Sequence, residues 1–344
     1  MARSYDNLYA VFKDTANAIR TKTGSSAPIV PRDFADTILS IPTTVTNNLA
    51  SLIDKTVTQY IDTDNLSYIG AYTFFQCSLL SIASFPSCTV ISSSAFTDYQ
   101  NLSTISFPSC KYISSAAFSG CVNLVNGISF PNCLSIEGYG FARCNKIVEA
   151  SFPECISLGN YVFQNCTNLE RINLSKCTTM GRDVFIRCSD LSYISLPLCE
   201  SVPYDAFRHC WRLSDVYLPR CTAVSGYGFA ECSSLATIVL PECSIIYESA
   251  FSGCRTLSTA SFPKCVNIYS YAFDTCMLLS SLYLMGSSVV TLSSTTAFRN
   301  TPMSTSGGYS SMQGTGIIYV PASLYSDYIS ANNWSIYSSR FVSM

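Results

Sequence analysis

A phenylalanine recurs at Phe74, Phe96, Phe118, Phe141, Phe163, Phe185, Phe207, Phe229, Phe251 and Phe273, at steps of 22 residues with a single step of 23. No other feature restricts the fold so much. A unit of this length cannot bury an apolar face alone, so it must stack on its neighbours, and a constant period requires that they stack in register. Three residues after nine of these rings comes a cysteine: Cys77, Cys121, Cys144, Cys166, Cys188, Cys210, Cys232, Cys254 and Cys276, with Tyr99 in the remaining slot. A second series, Cys88, Cys110, Cys133, Cys155, Cys177, Cys199, Cys221, Cys243 and Cys265, runs halfway between, so the two series hold all 18 cysteines.

One unit reads L-x-x-I-x-[FL]-P-x-C-x-x-I-x-x-x-A-F-x-x-C-x-x, as in Leu102, Ile105, Phe107, Cys110, Ile113, Phe118 and Cys121. Its first part matches the leucine-rich-repeat template, in which apolar residues alternate along a short strand and a Cys or Asn closes the turn. Ile105 and Phe107, two apart, point to one face of that strand, and the residues between them point out. Pro108 cannot donate to a ladder and ends it. In the second half Ile113, Ala117 and Phe118 turn inward again, in a span too short for a helix. Parallel strands stack ~4.8 Å apart, so ten coils form a rod roughly 50 Å long.

In this register each cysteine series becomes a column of thiols inside the rod. Packing as small hydrophobes with weak hydrogen bonds into the turns is the favoured reading. Disulfides are the second, since neighbours in a column lie at a bridgeable ~5 Å. Against them stand the odd membership of each column and side chains that point the same way. Zinc is the third, and a steady spacing of eleven without a C-x-x-C pair lacks the clustering that a tetrahedral site needs. The expectation is that the cysteines are structural, with no metal and no cofactor.

Residues 1–43 break the period. Leu8, Val11, Phe12, Ala16 and Ile19 fall on helical spacing, and Pro31, Phe34, Ala35, Ile38 and Ile41 suggest a second helix. So small a piece needs a partner to dock on, or another copy of itself, which allows a homo-oligomer. Residues 44–66 read as a linker and an N-terminal cap, the repeats run over 67–298, and 299–344 read as a C-terminal cap with a strand at 317–321 followed by a short helix. The predicted fold class is an α+β repeat, a solenoid of about ten 22-residue coils with a small helical N-terminal module and a strand-helix C-terminal cap.

Charge removes some functions. With 20 Lys and Arg against 22 Asp and Glu, and no basic run, the chain lacks the footprint of phosphate-backbone binding, so no nucleic-acid partner is expected. No stretch approaches the 18 apolar residues of a membrane span, and the first twenty residues lack a signal peptide's apolar run, so synthesis in the cytoplasm without membrane insertion is expected. Catalytic patterns are scarce. His209 is the single histidine, and G-x-S-x-G, Walker and Rossmann patterns are missing. Acidic pairs could assemble on the surface, but a rod flank implies no deep cleft for glycoside hydrolysis. The chain is expected not to be an enzyme.

The A-F-x-x-C-x-x-L units at 117–124, 206–213 and 250–257 resemble the BspA-type leucine-rich repeats of bacterial surface and protozoan proteins, over about 230 residues. The second cysteine column departs from the commonest form of that repeat. NAIRTKTGSSAPIVPRDFADTILSI, near the front, looks like a short module of tail and baseplate-associated proteins of phages and prophages of Gram-positive bacteria. The closing IIYVPASLYSDYISANNWSIYSSRF is similar to caps of repeat proteins in the same viral group. These resemblances imply a virion-associated binding protein, attached to other virion proteins through residues 1–43, whose solenoid meets a host-surface glycan or protein. A structural spacer or decoration that recognises nothing is the alternative. A bacterial adhesin shares the repeat but predicts a secretion signal or wall anchor.

The outward residues of the strands would carry such recognition. Along most of the rod they are bland, but over four consecutive coils Glu149, Arg171, Asn173, Tyr193, Asp215 and Tyr217 gather charge and aromatic surface. These are residue types found at interaction hot spots. Glu149 and Arg171 also stand where a cross-strand pair would form with no ligand in view.

Overall fold

The computed structural model describes residues 57–62, 65–71, 73–74, 77–125, 127–304 and 314–344. The two expected N-terminal helices, the linker and the start of the cap, all within residues 1–56, lie outside the described residues.

Each regular coil makes two short strands. On one flank is a strand of up to three residues, such as Glu149–Ser151 or Arg171–Asn173, whose middle residue is buried. On the other is a two-residue strand, such as Ser157–Leu158 or Val90–Ile91, whose second residue is buried. Every pairing is parallel and joins one coil to the next, with the same column positions facing each other: Arg171 with Glu149, Ile172 with Ala150, Leu158 with Ile136. In-register pairing of coil with coil follows directly from the constant period, although the ladder is interrupted on both flanks, on the two-residue flank between Thr179–Met180 and Ser201–Val202.

The A-F-x-x-C segment builds a third line of axial hydrogen bonds. Tyr161, Phe163 and Asn165 donate their amides to the carbonyls of Arg182, Val184 and Ile186 in the next coil at 2.9–3.0 Å. To present these groups, the residues two before and two after each phenylalanine of the series from Phe96 to Phe273 take left-handed backbone, as at Tyr161 (φ 61°), Asn165 (φ 57°), Asp205 (φ 54°) and His209 (φ 62°). A left-handed residue costs roughly 1–2 kcal/mol. The axial bond at each offsets that cost, which is why side chains as varied as Tyr, Asp, Ser and Arg occupy these slots.

The interior is aromatic and sulfurous. Successive rings from Phe74 to Phe298 stack nearly parallel, with centroids 5.1–5.7 Å apart. A second, shorter stack runs through Phe85, Phe107, Phe130 and Phe152. All 18 cysteines are buried free thiols. The two columns bond differently. Thiols after the Ala-Phe pair donate across the stack, as Cys121 does to Phe96 O (3.0 Å) and Cys188 to Phe163 O (3.1 Å). Those after the proline donate within their own coil, as Cys88 does to Val90 O (3.2 Å). Burial pushes the thiols up, to about 11 at Cys88 and Cys221 and about 12 at Cys110 and Cys166.

Two expectations need correction. The stack has about twelve turns rather than ten, because coils at Gln59–Ile61 and at Ile317–Val320 join it without the phenylalanine and cysteine marks that the count relied on. The architecture is also a β-solenoid with few helices rather than α+β. Among the described residues the α-helix is Tyr325–Ser330, with short 3-10 turns at Thr295–Phe298, Ala322–Leu324 and Ser335–Arg340. A coil that spends its residues on two strands and the turns between them has no room for one.

The last coil is covered. Trp334 Nε1 donates to Val290 O at 2.6 Å, Tyr337 Oη to Thr295 O at 2.6 Å and Asn333 Nδ2 to Leu292 O at 2.7 Å. The same aromatics lie on the end of the ring stack, with Trp334 5.8 Å from Phe298. One segment thus answers the terminal carbonyls and buries the terminal ring.

Candidate functional site

The long-strand flank is not one continuous sheet. Breaks separate Thr104–Ser106 from Ile128–Ser129, Arg171–Asn173 from Tyr193–Ser195, and Asp215–Tyr217 from Thr237–Val239. The first falls where the 23-residue step places its extra residue, just ahead of Ile128.

The six candidate residues lie on this flank, three on each side of the second break. Arg171 faces Glu149 in register, and its Nη2 lies 3.0 Å from Glu149 Oε1. Both side chains are more than half exposed, so water and salt screen the pair. Arg171→Ala should therefore change unfolding free energy by less than about 1 kcal/mol, checked by urea titration. Asn173 Oδ1 accepts from Ser175 N at 3.2 Å, and Asp215 Oδ2 from Ser214 Oγ at 2.9 Å. Tyr193 faces Asp215 in register, and Tyr217 faces Ser195. The two rings are 45% and 54% exposed, large apolar surfaces open to a partner. Glu149, Arg171, Asn173 and Tyr193 share the lining of one shallow open depression of about 410 Å³. Asp215 and Tyr217 lie outside it, one coil further along.

The opposite flank holds aromatic surface that the strand-face reading missed. At the corner between the two-residue strands and the left-handed turns, Tyr139 and Tyr161 stack at 4.7 Å, Tyr247 and Tyr269 at 5.3 Å, and Tyr204 meets Tyr227 edge-on. Guanidinium groups lie over three rings of this corner: Arg182 over Tyr161, Arg208 over Tyr227 and Arg299 over Tyr271. A tyrosine recurring two or four residues before the Ala-Phe phenylalanine, at 139, 161, 227, 247, 269 and 271, was the available signal. Asp183 and Asp205 occupy the same column in adjacent coils. Burial holds the carboxyl of each above its ordinary range, and for Asp183 the charge of Asp205 adds to it.

His209 is half-buried in a left-handed turn position, its ring edge-on to Trp211. Burial and the neighbouring Arg208 hold its imidazole below the ordinary range. Among the described residues no cluster of three or more His, Cys, Asp or Glu could hold a metal ion, and no helix is long and apolar enough to cross a membrane.

Solved structures similar to this chain include a leucine-rich repeat protein from Bacteroides ovatus, at 20% identity, TM-score 0.42, 81% of this chain and 88% of that one. A leucine-rich cell surface protein from Faecalibacterium prausnitzii matches at 19% identity and TM-score 0.33 over 65% and 84% of the two chains. The pneumococcal vaccine antigen PcpA matches at 17% identity and TM-score 0.48 over 82% and 71%. Comparison with curated proteins finds no match. The family model for the BspA type leucine rich repeat region matches in six copies, over residues 35–125, 54–147, 89–214 and 200–313, far more than half of the sequence. The chain belongs to the BspA-type leucine-rich repeat family.

Proposed function

We propose that this chain is a non-enzymatic recognition protein of a phage tail or baseplate, which binds a host-surface glycan or protein through the long-strand flank of its solenoid. The observation that carries the reading is the composition of that flank. Tyr193 and Tyr217 present half-exposed rings beside Asp215 in the same or the facing strand, and the Glu149–Arg171 pair and Asn173 follow on the coils before. Such a mixture of planar, hydrogen-bonding and charged groups on a stiff backbone suits recognition, since little conformational freedom is lost on binding. A leucine-rich-repeat solenoid supports binding in general. Attachment through residues 1–43 and residence in a virion rest on the likeness of the first segment to tail and baseplate modules.

The test uses the full chain and candidate Gram-positive host cells. Wild-type protein should co-sediment with cells of the right strain, and the Tyr193→Ala, Tyr217→Ala double variant should lose retention by at least about tenfold. Thermal unfolding should stay nearly unchanged, because both rings lie outside the core. Retention that survives the double substitution would eliminate this patch, and no retention on any host would favour the spacer reading. Tail genes beside the coding sequence would support the virion assignment, and their absence would count against it.

A further inference from the structure

The tyrosine corner contains a groove that the strand-face reading does not use. It spans the coils at Gly138, Gly159 and Gly181, holds about 720 Å³ and opens to solvent. Its floor exists because side chains are excluded there. A Cβ on Gly159 would lie 2.6 Å from Gly138 N, and one on Gly181 would lie 2.5 Å from Asn160 N, so successive coils approach backbone to backbone.

Tyr139 and Tyr161 flank this floor as a stacked pair, and Arg182 covers the far face of Tyr161 at 5.3 Å. The series ends at Tyr139. In the preceding coil the equivalent residue is Ala116, so the slot that a third ring would fill is empty and Tyr139 is 44% exposed. Polar groups with capacity to spare line the groove, Glu137 on the side of that free face and Asn160 one coil further along, beside Tyr161. Glu137 Oε2 accepts from Ser115 N (3.0 Å) and Ser115 Oγ (3.2 Å), which leaves Oε1 for a ligand hydroxyl. Asn160 Oδ1 accepts from Arg182 N (3.0 Å), which leaves its two Nδ2 hydrogens to donate. No Lys or Arg lines the groove, and Glu137 brings negative charge.

We infer that this groove is a binding subsite for neutral pyranose oligosaccharides, with one sugar ring stacked on the free face of Tyr139. A pyranose offers an apolar C–H face to an aromatic ring and a rim of hydroxyls to polar groups; Tyr139 and Glu137 supply the ring and an acceptor for the first unit, and Asn160 supplies a donor one coil further along the same groove for the next unit of an oligosaccharide. The negative charge disfavours phosphorylated or sialylated ligands. The subsite lies on a different flank from Tyr193 and Tyr217 and does not depend on them.

The experiment is saturation-transfer NMR on the full chain, with chitotriose, cellotriose, maltotriose and a β-linked galactotriose as probes. At least one should receive saturation, with contacts concentrated on one ring. Tyr139→Ala should weaken that signal by at least about tenfold in apparent Kd. Ala116→Tyr should do the same by filling the empty slot, and it should fold because the same left-handed position already carries tyrosine at 139, 161, 227 and 271. Tyr217→Ala should bind as wild type does, which separates this site from the strand-face reading. Absence of transfer to all four probes, or transfer that both groove variants leave intact, would overturn the proposal.

Discussion

Raising the pH from about 8 to about 10.5 in the presence of reductant is expected to unfold the rod at room temperature. The cause is the thiol columns. An exposed cysteine ionises near 9.0, whereas burial raises Cys88 and Cys221 to about 11 and Cys110, Cys121, Cys166 and Cys265 to about 12. Between those values the unfolded chain releases protons that the folded chain retains, so stability present below pH 9 is lost as the pH climbs toward the folded values. Each such group removes on the order of 1 kcal/mol per pH unit, so the six together remove an amount comparable to a domain's whole stability of about 5–15 kcal/mol. Circular dichroism melts at pH 8, 9 and 10 check this directly. Alanine substitutions at Cys110, Cys121 or Cys166 should flatten the decline one group at a time, and a melting temperature that stays constant over this range would refute the account.

Phe185→Ala is expected to cost about 3–5 kcal/mol, the range for emptying a buried aromatic site. Phe185 is fully buried in mid-stack, 5.5 Å from Phe163 and 5.4 Å from Phe207. Neighbouring coils cannot close the gap, because the axial hydrogen bonds on either side hold them at a fixed spacing. In a molecule whose units touch only their neighbours, a defect at the centre also divides cooperativity. The urea transition should therefore broaden and its slope fall as well as its midpoint, while Phe185→Leu should lose less than half as much. A loss below about 1 kcal/mol would mean that the ring is not a packed element of the stack.

The solenoid was legible in the sequence because its physics is periodic. Phe163 and Cys166 are buried for the same reason as Phe185 and Cys188, and a pattern repeated at fixed intervals needs no knowledge of long-range contacts. The coils at Gln59–Ile61 and Ile317–Val320 escaped the count because a terminal coil packs on one side only and is released from the phenylalanine and cysteine constraint. On the candidate surface, the register of Glu149 with Arg171 followed from the period alone. The tyrosine corner did not, since it depends on Tyr139 and Tyr161 taking left-handed backbone that projects their rings outward, and on glycines whose importance is the space they leave. The break between Asn173 and Tyr193 has no counterpart in the local sequence pattern.

The thiols that fill the interior are sealed at 2% exposure or less, one about every eleven residues. A reagent such as iodoacetamide can reach any of them only when the surrounding coil opens. Peptide mapping of alkylated protein over time would thus convert the two columns into a graduated scale, reading how often each segment breathes from one end of the molecule to the other.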